Sequence, residues 1–104
     1  MSTKLVKNDF GFDLSFSVTD GEGAAYDLTG ASVEFHLADK EYRTKVSGAC
    51  SITDAEAGLC KYTVQDGDLD LAPGMYIGEL EVTDGGKVIS NAMKFSIEIV
   101  GECG

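Results

Sequence analysis

A two-residue alternation of apolar and polar side chains runs through most of this chain and is broken only by Gly- and Asp-rich turns. Phe12, Leu14, Phe16 and Val18 alternate with Asp13, Ser15 and Ser17. Val33, Phe35 and Leu37 alternate with Ser32, Glu34 and His36, and Tyr76, Leu80 and Val82 with Ile77, Glu79 and Glu81. A period of two sends successive side chains to opposite faces of a strand, so one face is buried and the other is wetted. Repeated runs of this kind, with no helical stretch between them, predict an all-β chain folded as an antiparallel sandwich.

The 104 residues leave room for one core, so a single domain spanning 1–104 is expected. That length suits an immunoglobulin-like β-sandwich of about seven to nine strands. Residues 1–8 read as an N-terminal arm or edge strand, its stretch 3–7 guarded by Lys4 and Lys7, and 101–104 as a flexible tail. Further strands are predicted over 10–19, 31–38, 42–47 (with Tyr42 and Val46 as its apolar points), 49–53, 59–65, 75–83 and 87–90, with a short crossing piece at 25–28. Phe95, Ile97 and Ile99 mark a last strand. Val88 has the opposite parity, which predicts a bulge or bend near Ser90-Asn91-Ala92. Gly30, Gly58 and Gly74 fall at turns, Pro73 lies outside every strand, and Gly78 sits mid-strand, where a close neighbour is expected. Tyr76, just after the Pro73-Gly74 corner, is placed to return its hydroxyl to the backbone upstream, as in a tyrosine corner.

The chain carries 18 acidic and 8 basic residues, a net charge of -10. Nucleic-acid backbones and anionic membranes repel such a surface, so neither is expected as a partner. No run approaches the roughly 20 apolar residues of a membrane span, and the N-terminus lacks the apolar core of a signal peptide. The expected place of synthesis is a cytoplasm. The odd count of three cysteines agrees. Cys50 and Cys60 share the parity of Ile52 and Tyr62 and read as small core thiols, with a cross-strand bridge as the alternative. Cys103 is expected to be exposed.

Catalytic patterns are missing. Asp66, Asp68 and Asp70 have the spacing of calcium ligands, but Leu71 and Ile77 stand where such a loop needs Gly and Glu, so they are weak metal candidates beside an acidic solvated corner. His36 is alone and falls on the outward parity of its strand. Gly85-Gly86-Lys87 lacks the rest of a phosphate loop. No cofactor is expected.

Three segments, FDLSFSVTDGEGAAYDLTGASVEFHL, GACSITDAEAGLCKYTV and LAPGMYIGELEVTDGGKVIS, occur here in a telling order. Asp27-Leu28-Thr29-Gly30-Ala31 leads into an alternating strand, a T-D-A-x-A-G turn runs from Thr53 to Gly58, and P-G-x-Y runs from Pro73 to Tyr76. In this order and spacing the chain resembles the N-terminal immunoglobulin-like domain of the bacteriophage baseplate upper protein family and of related phage tail and prophage structural proteins. The resemblance covers about residues 10–100. It implies a non-enzymatic virion component, assembled in the host bacterial cytoplasm, whose partners are other virion proteins and further copies of itself. Candidate contact residues are Leu5, Val6, Ile77 and Met93. A cell-surface or carbohydrate-binding sandwich is the alternative.

Overall fold

The computed structural model describes residues 2–20 and 22–101 and, within them, every side chain except those of residues 2 and 90–93. Among the described residues the alternating runs form eight strands: β1 (Ser2–Val6), β2 (Asp13–Ser17), β3 (Ser32–Ala38), β4 (Thr44–Ala49), β5 (Ser51–Asp54), β6 (Leu59–Thr63), β7 (Gly74–Asp84) and β8 (Lys87–Val100). They build two sheets, one ordered β1-β8-β7-β3-β4 and the other β2-β6-β5. The all-β sandwich that the periodicity predicts is the fold. One pairing departs from the antiparallel expectation. β1 runs parallel to β8, in register from Ser2↔Ser96 to Val6↔Val100.

Alternation decides which side chains meet between the sheets. Val33, Phe35 and Leu37 of β3 are buried, and so are Leu80 and Val82 of β7 and Ile97 and Ile99 of β8. Cys60 and Tyr62 of β6 face them from the smaller sheet. Aromatic rings bind the two layers. Phe35 lies 5.9 Å from Phe16 and 4.8 Å from Tyr62 between ring centroids, and Phe16 lies 5.2 Å from Phe95. Offset and tilted rings at such separations add to the area they bury.

Three local expectations are corrected. The strand expected over 42–47 begins at Thr44, and Tyr42 is no inward point of it. The Asp39 carboxylate accepts the amides of Glu41 and Arg43 at 2.9 Å, closing a turn that holds Tyr42 at φ 63° with its ring 63% exposed. Val46 is buried as expected. β8 is also one strand rather than two. Leu80 pairs with Met93 and Val82 with Ile89, so three residues of β8, 90–92, oppose one of β7. The expected bulge is there. Because it adds two residues, parity is unchanged across it: Ile89 packs on the core and Val88 is exposed. Leu5, finally, is 7% exposed and belongs to the core. Pairing with β8 turns its side chain inward, so it cannot serve as a contact residue.

Gly78 pairs with Phe95, whose ring lies over it where a β-carbon would stand. At the start of β7 the Tyr76 hydroxyl donates to the Ala72 carbonyl at 2.6 Å. Tyr76→Phe deletes that bond while keeping the ring, and is expected to cost about 1 kcal/mol. A thermal melt should register a fall of about 5 °C; an unchanged midpoint would show that the bond contributes nothing.

Candidate functional site

The acidic corner after β6 is occupied by its own chain. Asp68 accepts the Tyr62 hydroxyl at 2.5 Å and the Gln65 amide at 2.9 Å, which ties the corner to the core. Asp70 is paired with Lys7 at 3.0 Å, holding it to the residues after β1. Asp66, Asp68 and Asp70 do not converge, and among the described residues no group of three or more His, Cys, Asp or Glu side chains is placed to hold a metal ion. Burial first, and then the Asp68 carboxylate, push the Tyr62 phenol above its ordinary value. The folded state therefore favours neutral Tyr62, and this contribution to stability is complete below pH about 10 and lost as pH rises through the raised folded value.

Three surface carboxylates are shifted the other way. Asp13 is lowered by hydrogen bonds from Thr63 and Lys61, Asp27 by bonds from Thr29, and Asp39 chiefly by the Arg43 amide. Each folded value lies below the unfolded one, so each contribution is present above pH about 4 and lost as pH falls through the folded values. Thermal melts at decreasing pH should hold a plateau near neutrality and drop only once these carboxylates protonate. A decline that begins near neutral pH would contradict the assignment.

Two of the grooves among the described residues lie beside the expected contact strands. One lies in the seam where edge strands β1 and β2 leave the sandwich open. It holds about 390 Å³ and is lined by Thr3, Asp13, Leu14, Ser15, Phe16, Phe95 and Ile97. The other, about 300 Å³, crosses the outer face of β3 and β7 between His36, Tyr42, Ile77, Glu79 and Glu81. On this face Lys94 reaches from β8 to Tyr42, its ammonium 3.2 Å from the phenol oxygen and 4.8 Å from the ring centroid. Cross-strand register brings His36 opposite Glu79 and Glu34 opposite Glu81, and His36 Nε2 lies 3.4 Å from Glu34.

Of the expected contact residues, Val6 is exposed on the edge strand and Ile77 is half-buried in the outer groove. The side chain of Met93, and all of Cys103, lie outside the described residues. Both grooves were invisible to residue-by-residue reading because sheet order creates them. Ile77, an outward apolar position, carried the sequence signal for the outer groove, and Leu14 and Phe95 are apolar positions on strands that turn out to flank the open seam.

Cys50 and Cys60 are free thiols, Cys60 buried and Cys50 half-buried at the core's margin. The neighbouring Cys60 sulfur, and then burial, push the Cys50 thiol above its usual value.

No family model matches the chain, and no curated protein does. Solved structures do. The N-terminal domain of phage TP901-1 ORF48 superimposes with a TM-score of 0.67 at 19% identity, over 97% of this chain and 84% of that one. CopC from Methylosinus trichosporium OB3b gives a TM-score of 0.57 at 10% identity, over 99% of this chain and 87% of that one. What the chain shares with both, end to end, is its β-sandwich fold.

Proposed function

We propose that this chain is a non-enzymatic structural module of a phage or prophage particle, a baseplate, tail or fibre adaptor that works by docking protein faces. The observation that carries this reading is the fold held in common with the N-terminal domain of phage TP901-1 ORF48 over 97% of this chain. Support also comes from the turn motifs at 27–31, 53–58 and 73–76, whose order resembles that of baseplate upper proteins. The partners are other proteins of the particle, further copies of this chain among them, and the virion is its destination. Val6 on the β1 edge and Ile77 on the outer face of β7 are contact candidates, joined by Met93 on sequence grounds. With a net charge of -10, the domain favours partner surfaces rich in Lys and Arg.

Peptide mass spectrometry of purified particles from the producing strain tests this reading. A fixed ratio of this chain to the major tail protein supports it. Abundance in the cell extract combined with absence from the particles overturns it. Light scattering at several concentrations under reducing conditions then separates the partners: a closed oligomer points to self-docking, and a monomer throughout points to other particle proteins.

A further inference from the structure

The geometry points to Cys50 and Cys60 as an oxidation site, a thiol pair that closes to an intramolecular disulfide by exchange with a small-molecule disulfide such as oxidised glutathione. The register places them for it. Ile52 pairs with Cys60, and Cys50 stands two residues earlier with its side chain on the same inward face. On the other side of β6, Val64 donates to the Phe12 carbonyl and Val18 to the Gly58 carbonyl. With Phe16 paired to Cys60 in the same register, the amide and carbonyl of Cys60 are turned toward β2. Toward β5, then, Ile52↔Cys60 is a pair without hydrogen bonds, the kind in which side chains approach most closely and diagonal neighbours come within reach.

The two sulfurs differ in access. Cys60 is 1% exposed and closed to an outside reagent, whereas Cys50 is half-buried at the point where the chain leaves the larger sheet for the smaller. There its amide donates to the Val33 carbonyl at 2.8 Å. Cys50 is therefore the sulfur that meets the oxidant. At alkaline pH the small fraction of Cys50 that has lost its proton attacks one sulfur of the small disulfide, forming a mixed disulfide and releasing one thiolate that takes up a proton. The Cys60 thiolate then attacks Cys50 Sγ, forming the internal bond and expelling the second small thiol. Two protein thiols are oxidised, one small disulfide is reduced to two thiols, and the two cysteine protons end on them. The product ties the crossover between the sheets to the middle of β6. Particle membership plays no part in this inference, so it stands or falls independently of the docking role.

The test uses the full chain carrying Cys103→Ser, which leaves only the two thiols in question. Under oxidised glutathione at mildly alkaline pH, both thiols should vanish together, the intact mass should fall by two hydrogens, and the chain should stay native. The melting midpoint should rise by about 10 °C, since a short loop is closed in the unfolded state, and dithiothreitol should reverse it. Adding Cys60→Ala should stop the reaction at a glutathione adduct on Cys50, and Cys50→Ala should leave Cys60 unreactive until denaturant is added. The inference is overturned if the native C103S chain keeps both thiols, stalls at the adduct, or closes the bridge only when unfolded. Failure of the C60A chain to form any adduct overturns it as well.

Discussion

Gly58→Ala should cost the domain about 3 kcal/mol, the sum of a left-handed backbone and a steric clash. Gly58 sits at φ 71° on the turn between β5 and β6, a conformation that L side chains rarely adopt. A β-carbon there would lie 2.5 Å from the Val18 carbonyl oxygen and 2.8 Å from that of Tyr26. Both obstacles are backbone. Val18 donates to the Gly58 carbonyl and accepts from the Tyr26 amide, so the two segments cannot part from Gly58 without breaking these bonds. Gly30→Ala is the internal control. Its φ of 76° imposes a similar backbone strain, but nothing lies within 4 Å of its would-be β-carbon. Urea unfolding of the two variants should show Gly30→Ala losing about 1 kcal/mol and Gly58→Ala far more. Equal losses would mean that the close approach at Gly58 is of no consequence.

The second large effect is at the centre of the sandwich. Phe35 is 2% exposed and packs on Phe16, Tyr62 and Phe95, rings drawn from both sheets. Phe35→Ala removes the transfer energy of the ring and leaves a cavity whose walls are held by separate strands and cannot close in, a loss of about 3–5 kcal/mol. Against the roughly 5–15 kcal/mol by which domains of this kind are stable, that is a large share of the whole. Phe35→Leu should recover part of it. Phe10→Ala, at an exposed ring, should stay within about 0.5 kcal/mol of the parent. A Phe35→Ala chain that melts within a few degrees of the parent would show that the aromatic cluster does not hold the layers together.

The residues differ in how much of this they announce on their own. Periodicity locates β3, β7 and the end of β8 because one face of each is buried and the other wet, so every second residue reports on its neighbours. Gly78 signalled a close approach because a bare backbone inside a good strand needs a reason, and the Phe95 ring lies over it. Tyr42 misled for the opposite reason. A β-favouring aromatic followed by alternation looks like a strand, yet two hydrogen bonds to the Asp39 carboxylate bend the chain there instead. Leu5 and Val6 are adjacent apolar residues and carry no parity, so only the pairing with β8 decides which of them is buried. The seam groove lay further out of reach, because it depends on sheet order. The approach of Cys50 to Cys60 was legible only as an alternative, because register between β5 and β6 decides it and local pattern does not encode register.

The parallel pairing of β1 with β8 bears on how the domain answers a pulling force. The first strand starts beside Ser96 and finishes beside Val100, so a load drawing the chain apart at Ser2 and Val100 acts along the two strands in opposite senses. The ladder from Ser2↔Ser96 to Val6↔Val100, together with the bond from the Lys7 amide to the Val100 carbonyl, is then strained all at once. An antiparallel pair held by its two open ends would part like a zipper, one rung after another. Here no rung yields first, and tension passes along the outer edge of the larger sheet before it reaches the core.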